Sequence, residues 1–266
     1  MSQLKVSIVQ TDLIWENAIQ SREHIEKHLS SVQEKTDIIL LPEMFTTGFT
    51  MNTEQVAETF DIDRMETLNW MRVWAKKLDA VITGSVSIKE NDKCYNRLLW
   101  VRPDGTFSNY DKRHTFTFAE EDKHYASGGK LLIEEWRGWN ICPLICYDLR
   151  FPVWNRNRIV DGKPMYDVLI YLANWPMVRR EPWKKLLLAR AIENQCYVAA
   201  CNRVGTDYNN HEYSGDSSFI NPRGEYIHEL TPSKEEVITV ALSKDELDDF
   251  RKKFPVLNDA DAFNLK

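Results

Sequence analysis

Apolar runs with β character recur along the chain: Val6–Val9, Ile38–Leu41, Ala80–Ser85, Leu98–Val101, Ile141–Ile145, Val168–Leu172, Tyr197–Ala200 and Val237–Leu242. Short runs rich in branched side chains are the mark of strands buried in a sheet. Between several of them the period changes. Ile19, Ile25, Leu29 and Val32 recur at helical spacing from Asn17 to Lys35, with charges between them. Met65, Leu68, Met71 and Ala75 do the same from Arg64 to Leu78, and Leu186, Leu187, Arg190 and Ile192 from Trp183 to Asn194. Strands alternating with helices predict a layered α/β fold. Pro103-Asp104-Gly105 and Asn221-Pro222-Arg223-Gly224 are turn sequences between neighbouring strand runs, so part of the sheet is predicted to be antiparallel hairpin. No linker-like tract, low-complexity segment or fixed-period repeat interrupts the pattern. A single domain over residues 1–266 follows, with the Asp/Asn-rich stretch from Phe254 to Lys266 laid on it as a tail.

Composition narrows the function classes. With 266 residues, 43% hydrophobic and 28% charged, the chain can build a large core without staples. A formal charge of −6 supplies no basic field for nucleic acid. The five cysteines, Cys94, Cys142, Cys146, Cys196 and Cys201, are too few and too irregular for a disulfide framework. Cys142 and Cys146 lie about 13 Å apart at strand rise, too far to bridge. Met1–Lys5 lacks a leader pattern, and no apolar run approaches the roughly 20 residues that span a bilayer. The expectation is a cytoplasmic protein with free thiols and neither a nucleic-acid nor a membrane partner.

Three reactive residues share one context. Glu43 follows Ile38–Leu41 through Pro42, Cys146 follows Ile141–Ile145 directly, and Lys112 follows the strand-like Phe107–Tyr110. Ligands of open α/β sheets bind where strands end and loops converge. A thiol on a sharp strand-to-helix elbow, with a helix starting near Arg150, would have backbone N–H groups aimed at an oxyanion and a thiolate favoured by the helix N-terminus. The alternative is that Cys146 fills core space. Glu43 sits between apolar neighbours, which should raise its pKa toward a useful base; capping or an ion pair would explain it equally. Lys112 could stabilise a thiolate or an oxyanion, or be part of a solvated basic patch. His114 offers Cys146 a papain-like base. His24 and His28, four apart, face the same way on a helix, but with no carboxylate or thiol partner signature they read as a solvated face, not a metal site. Gly215-Asp216-Ser217-Ser218 reads as a turn into a strand. Phosphate-loop, dinucleotide, zincin and GxSxG motifs are absent from the sequence.

These residues resemble the nitrilase (carbon–nitrogen hydrolase) superfamily, whose mark is Glu, Lys and Cys in that order, each after a strand. The segments are LPEMFTTGF around Glu43, YDKRHTF around Lys112 and LICYDLRFP around Cys146. ANWP at Ala173–Pro176, RAIENQCYVAACNRVG at Arg190–Gly205 and YSGDSSFINPRGE at Tyr213–Glu225 extend the resemblance over Leu4 to about Leu242. EMFTTGF, CYDLRFPVWNRNR and ANWP are similar to the omega-amidase branch.

The resemblance implies an α/β fold of the four-layer α-β-β-α sandwich type with mixed sheets, and a homodimer or higher homo-oligomer. It implies Glu43 as base, Lys112 as oxyanion stabiliser, Cys146 as nucleophile, and a second glutamate at Glu120 or Glu121, of which Glu121 fits the flanking pattern better. The Tyr147 N–H would share the oxyanion, and Asn174 and Trp175 would wall the pocket. Expected is hydrolysis of the terminal amide of small dicarboxylate monoamides, such as 2-oxoglutaramate or 2-oxosuccinamate, through a thioester, with no metal or organic cofactor. Arg113, Arg150, Arg179 and Arg180 are candidates for the distal carboxylate. Arg150 could instead serve as an ion-pair partner at a helix start, and Trp175 as a packed aromatic. A nitrile-, carbamoyl- or other amide-hydrolysing member, an acyltransferase and a non-enzymatic binding protein are the rival readings.

Overall fold

The alternation of side chains along the first strand shows how the layers arise. In a computed structural model that describes residues 2–32 and 34–265, β1 (Gln3–Gln10) points Leu4, Val6 and Ile8 into one core cluster and Val9 into another. A strand buried on both faces must have a layer on each side. Beside β1 run β2 (Ile38–Leu40), β4 (Val81–Glu90), β5 (Lys93–Val101) and β6 (Phe107–Asp111), with β17 (Glu236–Ser243) on the other edge and the short β3 (Glu58–Thr59) on β4. The outer face of this sheet is covered by α1 (Ala18–Ser30) and α3 (Glu66–Leu78), which contribute Ile25, Leu29, Leu68, Met71 and Trp74.

The inner face packs on a second sheet of β7 (Glu134–Trp136), β8 (Trp139–Ile145), β11 (Val168–Ala173), β12 (Tyr197–Asn202), β15 (Ser218–Ile220) and β16 (Tyr226–Glu229). The Cys201 thiol of β12 reaches across to the Val9 carbonyl at 3.4 Å. Beyond this sheet lies α5 (Arg180–Asn194), packing Trp183, Leu187 and Ala191 into the same core. The result is the expected α-β-β-α sandwich.

Both sheets are mixed, and both repeat one pairing order. Along β17-β1-β2-β4-β5-β6 and along β7-β8-β11-β12-β15-β16 the pairings read antiparallel, parallel, parallel, antiparallel, antiparallel. The two turn sequences do close antiparallel pairs, β5–β6 and β15–β16. Smaller elements complete the chain: α2 (Thr53–Val56), α4 (Glu121–His124), the hairpins β9 (Ile159–Val160) with β10 (Lys163–Pro164) and β13 (Val204–Thr206) with β14 (Glu212–Ser214), and α6 (Lys244–Lys253).

Two helix expectations need correction. α1 stops at Ser30, not Lys35, because Ser31 turns back on the His28 carbonyl through both its N–H and its hydroxyl; Gln33 lies outside the described residues. Ile19 and Ile192, placed on buried stripes by their spacing, are 60% and 53% exposed. The tail is laid on the body: Phe254 accepts a hydrogen bond from Gln195, Leu257 is buried in one helical turn, and Phe263 lies under Arg158. Lys266 lies outside the described residues.

Candidate active site

Four buried side chains from four loops meet between the ends of the two sheets. Glu43 leaves β2 through Pro42, and Met44 beyond it adopts a left-handed φ of 42°. Lys112 is the first residue after β6. Glu121 opens α4. Cys146 follows β8 with φ 43°, a conformation non-glycine residues adopt only where the surroundings impose it. The Lys112 ammonium donates to Glu43 Oε1 at 2.8 Å and to both Glu121 oxygens, at 2.9 and 3.1 Å. All three are fully or nearly fully buried. Of the neighbouring pair, Glu120 is at the surface on Lys123 and Glu121 is in the cluster.

Each member is held by further hydrogen bonds, as buried charges require. Asn96 Nδ2 donates to Glu43 Oε1 at 2.8 Å and to Glu121 Oε1 at 3.2 Å, and Asn96 Oδ1 accepts from Ser85 Oγ. Ser85 Oγ accepts in turn from the Met44 N–H, so one strand side chain fixes the backbone beside Glu43. The Asn174 N–H donates to Glu43 Oε2 at 2.8 Å, its Nδ2 donates to the Glu43 carbonyl, and the Phe116 N–H donates to Glu121. Asn96 and Ser85 went unnoticed in the sequence. The available signal was a polar residue at an inward position of an apolar strand.

The Cys146 elbow differs from expectation. No α-helix starts there: Cys146–Arg150 is one 3₁₀ turn, and α5 begins at Arg180. Asp148 organises the turn, accepting from Tyr110 OH, the Ile145 N–H, and the N–H and Nδ1 of His114. Arg190 of α5 clamps the Leu149 carbonyl with two donors. His114 is thus spent on Asp148 and stacked on Phe151 at 3.8 Å between ring centres. Burial pushes the Cys146 thiol well above the usual thiol range; the Glu43 carboxylate pushes it further, and Lys112 only partly opposes both. These causes disfavour the thiolate that a helix N-terminus and an ammonium would favour. Burial also lowers Lys112, but Glu121 and Glu43 outweigh it and keep the ammonium charged. Burial raises Glu121, against the pull of Lys112.

A cavity of about 600 Å³ opens over this cluster, with Cys146 and Lys112 in its lining. Tyr147, Asn174 and Trp175 line it as well, together with Phe49, Phe116, Phe118, Tyr213 and His211. Of the four candidate arginines, Arg150 and Arg179 face it. Arg150 lies 4.9 Å over the Trp175 ring and Arg179 between Phe116 and Phe118. Arg180 is taken by Asp216, and Arg113 by the Gly128 carbonyl and Trp154. Gly215 and Asp216 form a left-handed turn into β15, as their sequence suggested, and Ser217 ties it to β12.

Residues 5–252 match the carbon–nitrogen hydrolase family. The chain belongs to that family. It is 46% identical over 265 residues to omega-amidase YafV of Escherichia coli strain K12, covering all of both chains. It is 32% identical to the 2-oxoglutaramate amidase of Bacillus subtilis, covering 96% of each. A CN-hydrolase superfamily protein of Xanthomonas campestris, whose structure carries an arsenic adduct in the active site, superposes with a TM-score of 0.97 at 42% identity over all of both chains. No helix of this hydrolase, among the described residues, is long and apolar enough to cross a membrane.

Proposed function

We propose that this carbon–nitrogen hydrolase cleaves the terminal amide of small dicarboxylate monoamides, of the 2-oxoglutaramate or 2-oxosuccinamate type, to acid and ammonia. The observation that carries the reading is the pairing of a reactive floor with a cationic wall. Cys146, Lys112 and Asn174 line the cavity, and Arg150 and Arg179 line it too, with aromatic rings as their neighbours and no carboxylate partner among the described residues. A substrate with an amide at one end and a carboxylate at the other complements both. Relatives named omega-amidase and 2-oxoglutaramate amidase support the same class.

The geometry supports a two-step reaction. Glu43 takes the proton of the Cys146 thiol as sulfur attacks the amide carbon. The oxyanion is held by Lys112 and by the Tyr147 N–H, one of the first donors of a 3₁₀ turn and so without a partner inside that turn. Lys112 has its longest contact, 3.1 Å, to the second oxygen of Glu121 and can redirect it without stranding a carboxylate. Glu43 returns its proton to nitrogen, ammonia leaves and a thioester remains. Glu43 then deprotonates a water molecule that attacks the thioester, and sulfur leaves with the proton. No metal or organic cofactor enters these steps.

We also infer that the protein works in the reducing cytoplasm as a single-domain subunit of a homodimer or higher homo-oligomer. The five cysteines are unpaired, and Val178 and Ile192, beside and on α5, are 81% and 53% exposed. Ammonia release from 2-oxoglutaramate, glutamine and a simple nitrile, measured side by side with purified protein, tests the substrate reading. Preference for 2-oxoglutaramate supports it, and turnover of the nitrile alone would overturn it. Light scattering during gel filtration tests the assembly.

A further inference from the structure

Outside the cavity lining, three metal-ligating side chains meet where the first helix crosses the start of the last strand. His24 and His28 lie one turn apart on α1, and Glu235 stands just before β17. Their ligating atoms lie within 4.8 Å of one another. The His24 Nε2 is 2.6 Å and the His28 Nε2 3.6 Å from the same oxygen, Glu235 Oε1. The sequence offered only the histidine pair; the fold supplies the carboxylate from over two hundred residues away.

We propose that His24, His28 and Glu235 form a surface zinc site, with a fourth position open to water. Two imidazoles at i and i+4 with one carboxylate are the donor set zinc favours over harder cations. Bonds of about 2.1 Å in a tetrahedron place ligand atoms about 3.4 Å apart, a value the 2.6 and 3.6 Å separations from Glu235 bracket. The supporting contacts are in place. Thr11 Oγ1 and the Asp12 N–H donate to the same oxygen, Glu235 Oε1, at 2.7 and 2.8 Å, and so fix where the carboxylate stands. His28 Nε2 lies 3.1 Å from Thr11 Oγ1, a contact it would exchange for the ion. None of the three residues lines the catalytic cavity. The ion would therefore act as a staple between α1 and the edge strand β17, not as a reagent.

The test uses full-length Cys146→Ala protein stripped with a chelator, so that the active-site thiol cannot compete for metal. Zn²⁺ alone is the probe. Equilibrium dialysis should show one equivalent bound at micromolar or tighter affinity, and His24→Ala or His28→Ala should weaken it by about tenfold or more. A hundredfold excess over the dissociation constant should raise the unfolding temperature by about 5 °C, and by nothing in the variants. Co²⁺ in place of zinc should give ligand-field absorption without a thiolate charge-transfer band. His28→Gln, checked for fold by circular dichroism, serves if the alanine variants unfold. Binding that survives both histidine substitutions, a thiolate band, or no binding at millimolar zinc would overturn the proposal. In the Cys146-containing enzyme, His28→Ala should leave chelator-treated activity unchanged, so the two proposals fail independently.

Discussion

At Cys146, burial decides the chemistry. A thiol pushed up by burial needs a base beside it, and of the two carboxylates whose charge acts on it, Glu43 acts more strongly than Glu121. Cys146→Ala should abolish ammonia release. Glu43→Gln keeps the size and the Asn96 and Asn174 neighbours, so it should fold normally yet lose about 10³-fold in kcat, within the usual range for a general base. His114→Ala should cost far less, because His114 serves Asp148; a larger loss than in Glu43→Gln, measured under saturating substrate, would restore the histidine-base reading. Lys112→Met removes the one ammonium from between two buried carboxylates, a loss expected to cost about 3–5 kcal/mol in chemical denaturation. Glu43 and Lys112 were legible as candidates from strand-end position and family resemblance. Their contact was not, because 69 residues separate them. Glu121 was preferred to Glu120 on flanking pattern, and only the αL turn at Glu120 shows which carboxylate points inward.

Among the elements, the strands carry the site and the loops aim it. The Ser85 and Asn96 side chains of the β4–β5 hairpin reach out to hold the Met44 backbone and the two carboxylates. Gly84 lies against this loop: a Cβ there would sit 2.6 Å from the Phe45 ring and 3.0 Å from Leu41 Cβ. Gly84→Ala should therefore displace Phe45 and with it Glu43, costing about 1–3 kcal/mol of stability and lowering kcat more than it raises KM, as steady-state kinetics would show. The strand runs were legible because an apolar run needs little context to be read as buried sheet. The end of α1 and the exposure of Ile19 and Ile192 were not, since helical spacing identifies a stripe but not whether a layer covers it. The turn after Cys146 was misread as a helix start for a related reason. The Asp148 network that shapes it draws on Tyr110 and His114, more than thirty residues upstream.

Across the whole molecule, the two ends of the chain are joined at β1–β17 and by the Glu235 contacts with Thr11, Asp12 and His24. Burial works against the Glu235 carboxylate, but hydrogen bonds from His24, Thr11 and the Asp12 N–H prevail and hold it down at about 2, from 4.5. A carboxyl lowered in the folded state stabilises the fold above its unfolded pKa, and that contribution fades as pH falls from 4.5 toward about 2. In chelator, the unfolding temperature of the native protein should thus fall more steeply over that range than that of Glu235→Gln; parallel curves would remove Glu235 from the acid response. The sequence by itself determined a layered α/β class and, through its strand-end motifs, a family resemblance that implied the layer order, because apolar periodicity and motifs are local and survive without neighbours. Tertiary structure decided the convergence of Glu43, Lys112, Glu121 and Cys146, the two arginines left facing the cavity, and the carboxylate that joins His24 and His28. Each depends on groups far apart in the chain: the packing of one sheet on the other brings Cys146 after β8 to the groups that follow β2 and β6, and α1 laid on the first sheet brings His24 and His28 to Glu235 before β17.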